Sequence, residues 1–128
     1  MPTALRHASY VSLATFRKSG AEVATPVWVA HDNGEFFIFS AGNAGKVKRL
    51  RNSPRARLAV CDVRGKLLGE WHDATAEILE HPGDKRRALR LLRRKYGWQM
   101  WLADTGAKLT GRFHRRAYIR ARLVQPPA

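Results

Sequence analysis

The feature that most limits the fold is a run of three strand-like segments joined by tight turns, with no helix between them. Residues 9–17 (SYVSLATFR) mix β-branched, aromatic and small side chains, as a strand does. Lys18-Ser19-Gly20 turns the chain into residues 22–31 (EVATPVWVAH), read as a second strand. There Val23, Thr25, Val27 and Val29 fall on one side, and Ala24, Pro26, Trp28 and Ala30 on the other. Asp32-Asn33-Gly34 closes a hairpin onto residues 35–41 (EFFIFSA), because Asn-Gly readily takes the positive φ angles of a two-residue turn. The unbroken apolar run of this third strand predicts burial on both faces.

The rest of the chain continues the pattern. Gly42-Asn43-Ala44-Gly45 is a small-residue loop that opens onto KVKRLRN, one or two helical turns ended by Asn52 and Pro54. Residues 55–62 return as a strand and Arg64-Gly65-Lys66 turns the chain. Residues 67–79 form a long strand with Gly69 as a bulge or close-approach point. Residues 82–96 are the clearest helix, with Asp84 as its N-cap, Leu89, Leu92 and Tyr96 on one face, and Gly97 just past its end. Residues 98–104 give a second helical piece, stopped by Gly106. Residues 112–123 are the last strand, with Phe113, Ala117, Ile119, Ala121 and Leu123 opposite Arg112, His114, Arg116, Arg120 and Arg122. Strands and helices do not alternate, which argues against a parallel doubly wound sheet. Six short antiparallel strands with short helices predict a mainly β domain spanning 1–128, a small closed or split barrel.

Composition permits a core: 45% of the 128 residues are hydrophobic and 27% charged, unlike a disordered basic tail. No apolar run approaches the ~20 residues that cross a bilayer. The first sixteen residues lack a secretion-signal pattern. The one cysteine, Cys61, excludes an internal disulfide framework and a multi-cysteine zinc site. The expectation is a soluble cytoplasmic domain whose net charge of +14 calls for an anionic partner. Nineteen of the 24 Lys and Arg fall in three segments, 46–57, 85–95 and 108–122, each without an acid. Taken singly, any of these side chains is simply a solvated surface charge.

Side-chain chemistry is sparse. Ser40 to Lys46 runs off a strand end through small residues into a helix start, where backbone N–H groups can approach a phosphate and Lys46 adds charge. The spacing is not that of a nucleoside-triphosphate loop. The five histidines show no metal-ligand spacing, and no serine nucleophile motif is present. Cys61, mid-strand, reads as an inert small hydrophobe. Asp73 and Glu77 make no persuasive carboxylate pair. If the chain is an enzyme, a cofactor does the chemistry.

Three stretches, VSLATFRKSGAEVATPVWV, DNGEFFIFS and GKVKRLRNSPRARLAV, resemble the flavin/deazaflavin split β-barrel superfamily. That superfamily includes pyridoxamine 5'-phosphate oxidases and oxidoreductases that use coenzyme F420. The C-terminal RKYGWQMWLADTGAKLTGR resembles the probable F420-dependent subfamily. The resemblance implies a six-stranded FMN-binding split barrel that forms a homodimer with the cofactor at the subunit interface. It implies that Lys46 binds the cofactor phosphate with Ser40, Ala41 and Arg49 nearby, and that Thr25, Pro26, Val27 and Trp28 lie along the ring system. Val47 and Cys61 complete the implied cofactor-binding set. Two departures matter. The chain lacks the long C-terminal part of pyridoxamine phosphate oxidases, and it has no Ser or Thr just before Lys46. The second departure, and three basic clusters suited to a multi-anionic tail, favour F420 over the alternative, FMN. The implied reaction is hydride transfer with a small organic substrate. His31, His72 and Tyr96 are the candidate proton donors, and Trp98 and Trp101 candidate pocket walls. The competing reading is a nucleic-acid-binding module. The charge suits one, but no helix-turn-helix, RNP or zinc-finger pattern supports it.

Overall fold

A computed structural model describes residues 3–111 and 115–124. The elements run α1 (Thr3–Arg6), β1 (Tyr10–Phe16), β2 (Glu22–Trp28), β3 (Ala30–Asp32), β4 (Glu35–Ala41), α2 (Gly45–Asn52), β5 (Arg55–Val60), β6 (His72–Ile78), α3 (Pro82–Tyr96), α4 (Trp98–Leu109) and β7 (Arg116–Leu123). All seven strands join one antiparallel sheet in the order β2-β1-β5-β6-β7-β4-β3. Its two end strands, β2 and β3, are separated in sequence only by Val29, so the sheet must curl until its ends meet. The result is a split barrel.

Seven strands appear where six were expected, because the predicted strand 22–31 breaks at Val29. The backbone of Val29 bonds to α3 rather than to a neighbouring strand. Its N–H donates to Tyr96 Oη at 2.8 Å, and its carbonyl accepts from Lys95 Nζ at 2.6 Å. The Tyr96 hydroxyl donates onward to the Ser9 carbonyl at 2.7 Å, and burial pushes its pKa up to about 12. Tyr96→Phe removes the acceptor of a buried N–H. We expect a loss of about 1–3 kcal/mol in urea unfolding, with no change in slope if the barrel itself persists.

The barrel interior holds Val11, Leu13, Val27, Val29, Phe36, Ile38, Leu58 and Ile119, closed at one end by Leu5 of α1 and approached at the other by Leu50 of α2. On the outside, α3 and α4 cover β4 with Phe37, Tyr118, Leu92, Tyr96 and Met100. Strand β4 is therefore buried on both faces, as its apolar run predicts. The Asn33-Gly34 turn is also as predicted, with φ of 51° and 79° between Asp32 and Glu35, which pair.

Other expectations are corrected. The fold is mixed α/β rather than mainly β with short helices, since α3 has 15 residues and α4 has 12. His81, not Asp84, caps α3: its Nδ1 accepts from the Gly83 N–H at 2.9 Å. Helix α4 runs through Gly106 because Met100 and Asp104 anchor it in the interior. The predicted strand 67–79 shortens to β6; residue 67 forms only an isolated bridge to Cys61. In the predicted strand 112–123, residues 112–114 lie outside the described residues.

Glu35, at the start of β4, gathers Arg87 at 3.1 Å, Arg122 at 2.5 Å and Arg120 at 3.5 Å. Burial raises the Glu35 pKa, but hydrogen bonds from Arg122 and Arg87 outweigh it and hold the carboxyl below its ordinary 4.5. A depressed carboxyl pKa stabilises the fold above the unfolded value, and that contribution is lost as pH falls through the folded one. We expect wild type to lose more stability than Glu35→Gln when pH drops from neutral to below 4.5, measured by urea midpoints.

Candidate functional site

The basic clusters divide once the ion pairs are drawn. The arginines of β7 are neutralised: Arg116 bonds Asp104 at 2.6 Å, Arg120 bonds Glu77, and Arg122 bonds Glu35. Arg57 bonds Glu22 at 3.0 Å, Arg87 bonds Asp32 at 2.8 Å and Arg93 bonds Asp104 at 2.7 Å. The last strand thus does not extend a free cationic groove, contrary to the sequence reading. Among the described residues, no carboxylate pairs with Lys46 or Arg49 of α2.

Helix α2 lies against the end of the barrel where β1 finishes, with Val47 and Leu50 buried beneath it. Arg49 Nε donates to Thr15 Oγ1 at 2.6 Å. Thr15 is fully buried on the inner face of β1, a polar side chain at a core position. It pairs with Val23, two residues from Thr25 on the same face of β2. Thr25 Oγ1 is itself buried and has no hydrogen-bond partner. A buried hydroxyl without a partner is costly, so Thr25 marks a strained point of the barrel lining near Thr15.

The electrostatics agree. Burial lowers the Lys46 pKa, and the neighbouring Arg49 lowers it further. Burial also lowers the Arg49 pKa, with Arg17 adding to the effect. Lys46 and Arg49 of α2 and Arg17, just past β1, are therefore close enough to repel one another, and among the described residues no carboxylate pairs with them. No side chain caps α2 at Ala44, which leaves the helix N-terminus open to an anion. Gly45 is the first residue of this helix, and a Cβ there would come within 2.7 Å of the Arg49 guanidinium. At Gly42 a Cβ would overlap the Arg115 carbonyl oxygen. Gly45 thus lets the Arg49 guanidinium approach the helix start, and Gly42 lets the Arg115 backbone pack against the loop.

Beside this helix start lies a cleft of about 900 Å³, lined by Phe39, Ser40, Ala41, Arg51, Ala107 and Arg115 among others. It receives two of the sequence-predicted residues, Ser40 and Ala41, and lies next to a cationic helix. Its size suits a small ligand.

The remaining predicted residues are placed as follows. Val27 and Val47 are core side chains. Pro26 is exposed on the outer face of β2, with Gly65 nearby. Trp28 stacks on Tyr96, ring centroids 4.7 Å apart, and meets Phe39 edge-on. Cys61 is buried, and that burial pushes its thiol pKa up, which keeps it unreactive. Of the proton-donor candidates, Tyr96 has its hydroxyl committed to Val29 and Ser9. His31 lies at the other end of the barrel, on β3, and His72 begins β6. Trp98 and Trp101 are 70% and 64% exposed; Trp101 lines an open cleft of about 410 Å³ with Arg93, Asp104 and Lys108, away from α2. Sequence reasoning missed Thr15, Arg17, Arg51 and Arg115. Thr15 left a signal as a hydroxyl on the apolar face of a strand, and Arg51 and Arg115 lay within the basic clusters. Among the described residues no group of three or more His, Cys, Asp or Glu could hold a metal ion, and no helix is long and apolar enough to cross a membrane.

Comparison with known proteins gives the following. A family model described as pyridoxamine 5'-phosphate oxidase matches residues 1–123. No curated protein matches the chain. Among solved structures, a conserved hypothetical protein of Mycobacterium tuberculosis is 20% identical with a TM-score of 0.67, covering 100% of this chain and 91% of that one. The heme storage protein HutZ of Vibrio cholerae is 12% identical with a TM-score of 0.69, covering 92% and 83%. An F420 reductase is 15% identical with a TM-score of 0.63, covering 98% and 97%. At these identities the structural likeness speaks to fold alone.

Proposed function

The chain belongs to the pyridoxamine 5'-phosphate oxidase family, and from there we propose that it is an oxidoreductase holding FMN by its phosphate at the start of α2. The observation that carries this reading is the pair Lys46 and Arg49: partly buried cations with no carboxylate partner among the described residues, at the uncapped start of α2. A dianionic phosphate there replaces like-charge repulsion with charge-assisted hydrogen bonds. When bound, a flavin supplies the two-electron chemistry that the side chains lack.

The chain's own residues bind and orient. Lys46, Arg49 and the uncapped N–H groups of α2 fix the phosphate end. Thr25 offers its hydroxyl from β2, and the Trp28 ring is held rigid by Tyr96 and Phe39. Ser40 and Ala41 lead into the cleft that would receive a small organic substrate. The homodimer belongs to the same proposal: β2 ends the sheet and leaves Ala24 and Pro26 exposed beside the site, where a second copy completes it.

Coenzyme F420 is the second reading. It is favoured by Arg51 and Arg115 in the cleft, two cations that FMN, with one phosphate, does not need. The neutralised arginines of β7 weigh the other way. Parallel titrations with FMN and F420 at about 0.15 M and 0.5 M salt decide between them. Tighter FMN binding with a shallow salt dependence supports the main reading. Tighter F420 binding that falls steeply with salt replaces it with the second, and binding of neither removes both.

A further inference from the structure

The end of the barrel away from α2 carries another cationic cleft, which the flavin reading does not use. Helix α1 precedes the start of β1, whereas α2 lies over its finish at Thr15. Between α1, β3 and α3 is a cleft of about 320 Å³ lined by Arg6, His7, His31, Asp32, Arg94 and Lys95. Its one acid, Asp32, is held by Arg87 at 2.8 Å. Among the described residues, no carboxylate pairs with Arg6 or Arg94. Lys95 Nζ donates to the carbonyls of Ala8 and Val29, which fixes the ammonium at the cleft and leaves one N–H unspent. His31 Nε2 is buried with no hydrogen-bond partner, and its ring lies against Phe36 with centroids 4.9 Å apart.

We propose that this cleft binds the phosphate group of a small soluble molecule. Two guanidinium groups and an anchored ammonium line this recess, which is large enough for a phosphate with a modest organic body. His31 supplies the remaining polar atom. Burial keeps its pKa low, helped by Arg6, His7 and Lys95 and opposed by Asp32. An anion seated among Arg6, Arg94 and Lys95 offsets those charges and moves the His31 titration upward.

The test follows the His31 ring by carbon–proton NMR in the full chain while inorganic phosphate or pyrophosphate is added at about 0.15 M chloride. The expected result is a saturable shift and a raised His31 titration midpoint. Arg6→Gln/Arg94→Gln should need about tenfold more pyrophosphate to saturate. Arg94→Gln alone, on the exposed side of α3, should need several-fold more and preserves the fold. Lys46→Ala should leave the His31 response unchanged, which separates this cleft from the α2 site. The proposal is overturned if neither anion gives a saturable shift, or if Arg94→Gln responds like wild type. It is also overturned if a short single-stranded oligonucleotide shifts His31 at lower phosphate concentration than pyrophosphate does, since that marks a polyanion surface.

Discussion

Replacing Lys46 and Arg49 together by alanine should weaken FMN binding by at least about a hundredfold, because each contributes a charge-assisted contact of about 1.5–3 kcal/mol to the phosphate. The same change should not destabilise the free protein through lost ion pairs. Lys46 and Arg49 press on one another, and Arg17 presses on Arg49. Removing Lys46 alone relieves that repulsion, so Lys46→Ala should melt at or slightly above the wild-type temperature while binding FMN more weakly. Binding and stability moving in opposite directions is the signature of a site built for an anion. A structural lysine would lose both. Fluorescence titration and thermal unfolding of the two variants check this.

Asp104→Ala should cost about 3–5 kcal/mol, the largest stability loss expected from a single polar substitution in the chain. Asp104 is 5% exposed and accepts from Arg93 Nε at 2.7 Å and Arg116 Nη1 at 2.6 Å. It thereby ties α3, α4 and β7 together beside the Arg116 guanidinium, which lies over the Phe39 ring. Without the carboxylate, a buried guanidinium loses a close counter-charge and α4 loses its polar anchor. Urea unfolding should show the full loss, and hydrogen exchange should locate the first opening in α4. A change below about 0.5 kcal/mol would show that Met100 alone holds the helix.

The order of strands was legible because its signals are local. Asn33-Gly34 carries its own turn, and EFFIFSA carries its own burial. The break at Val29 was not legible, because it depends on Lys95 and Tyr96, more than sixty residues away, taking over one backbone unit. The run of α4 through Gly106 was hidden for the same reason: the ion pairs of Asp104 override a weak local stop signal. In the site, Lys46 stood out as a charge at a helix start, and Arg49 entered only through the family resemblance. Thr15 and the unpartnered hydroxyl of Thr25 required the strand register. Of the three basic clusters, the one on the last strand misled, since β7 brings its arginines opposite carboxylates that sequence places far away.

The central claim is that a flavin is held by its phosphate at the start of α2. Its most direct test compares FMN with riboflavin, which differ only in that group, by equilibrium titration against the wild-type chain. The account predicts that FMN binds at least about a hundredfold more tightly, and that Lys46→Ala/Arg49→Ala erases most of the difference. Equal affinities for the two flavins, or a difference that survives the double substitution, would contradict it.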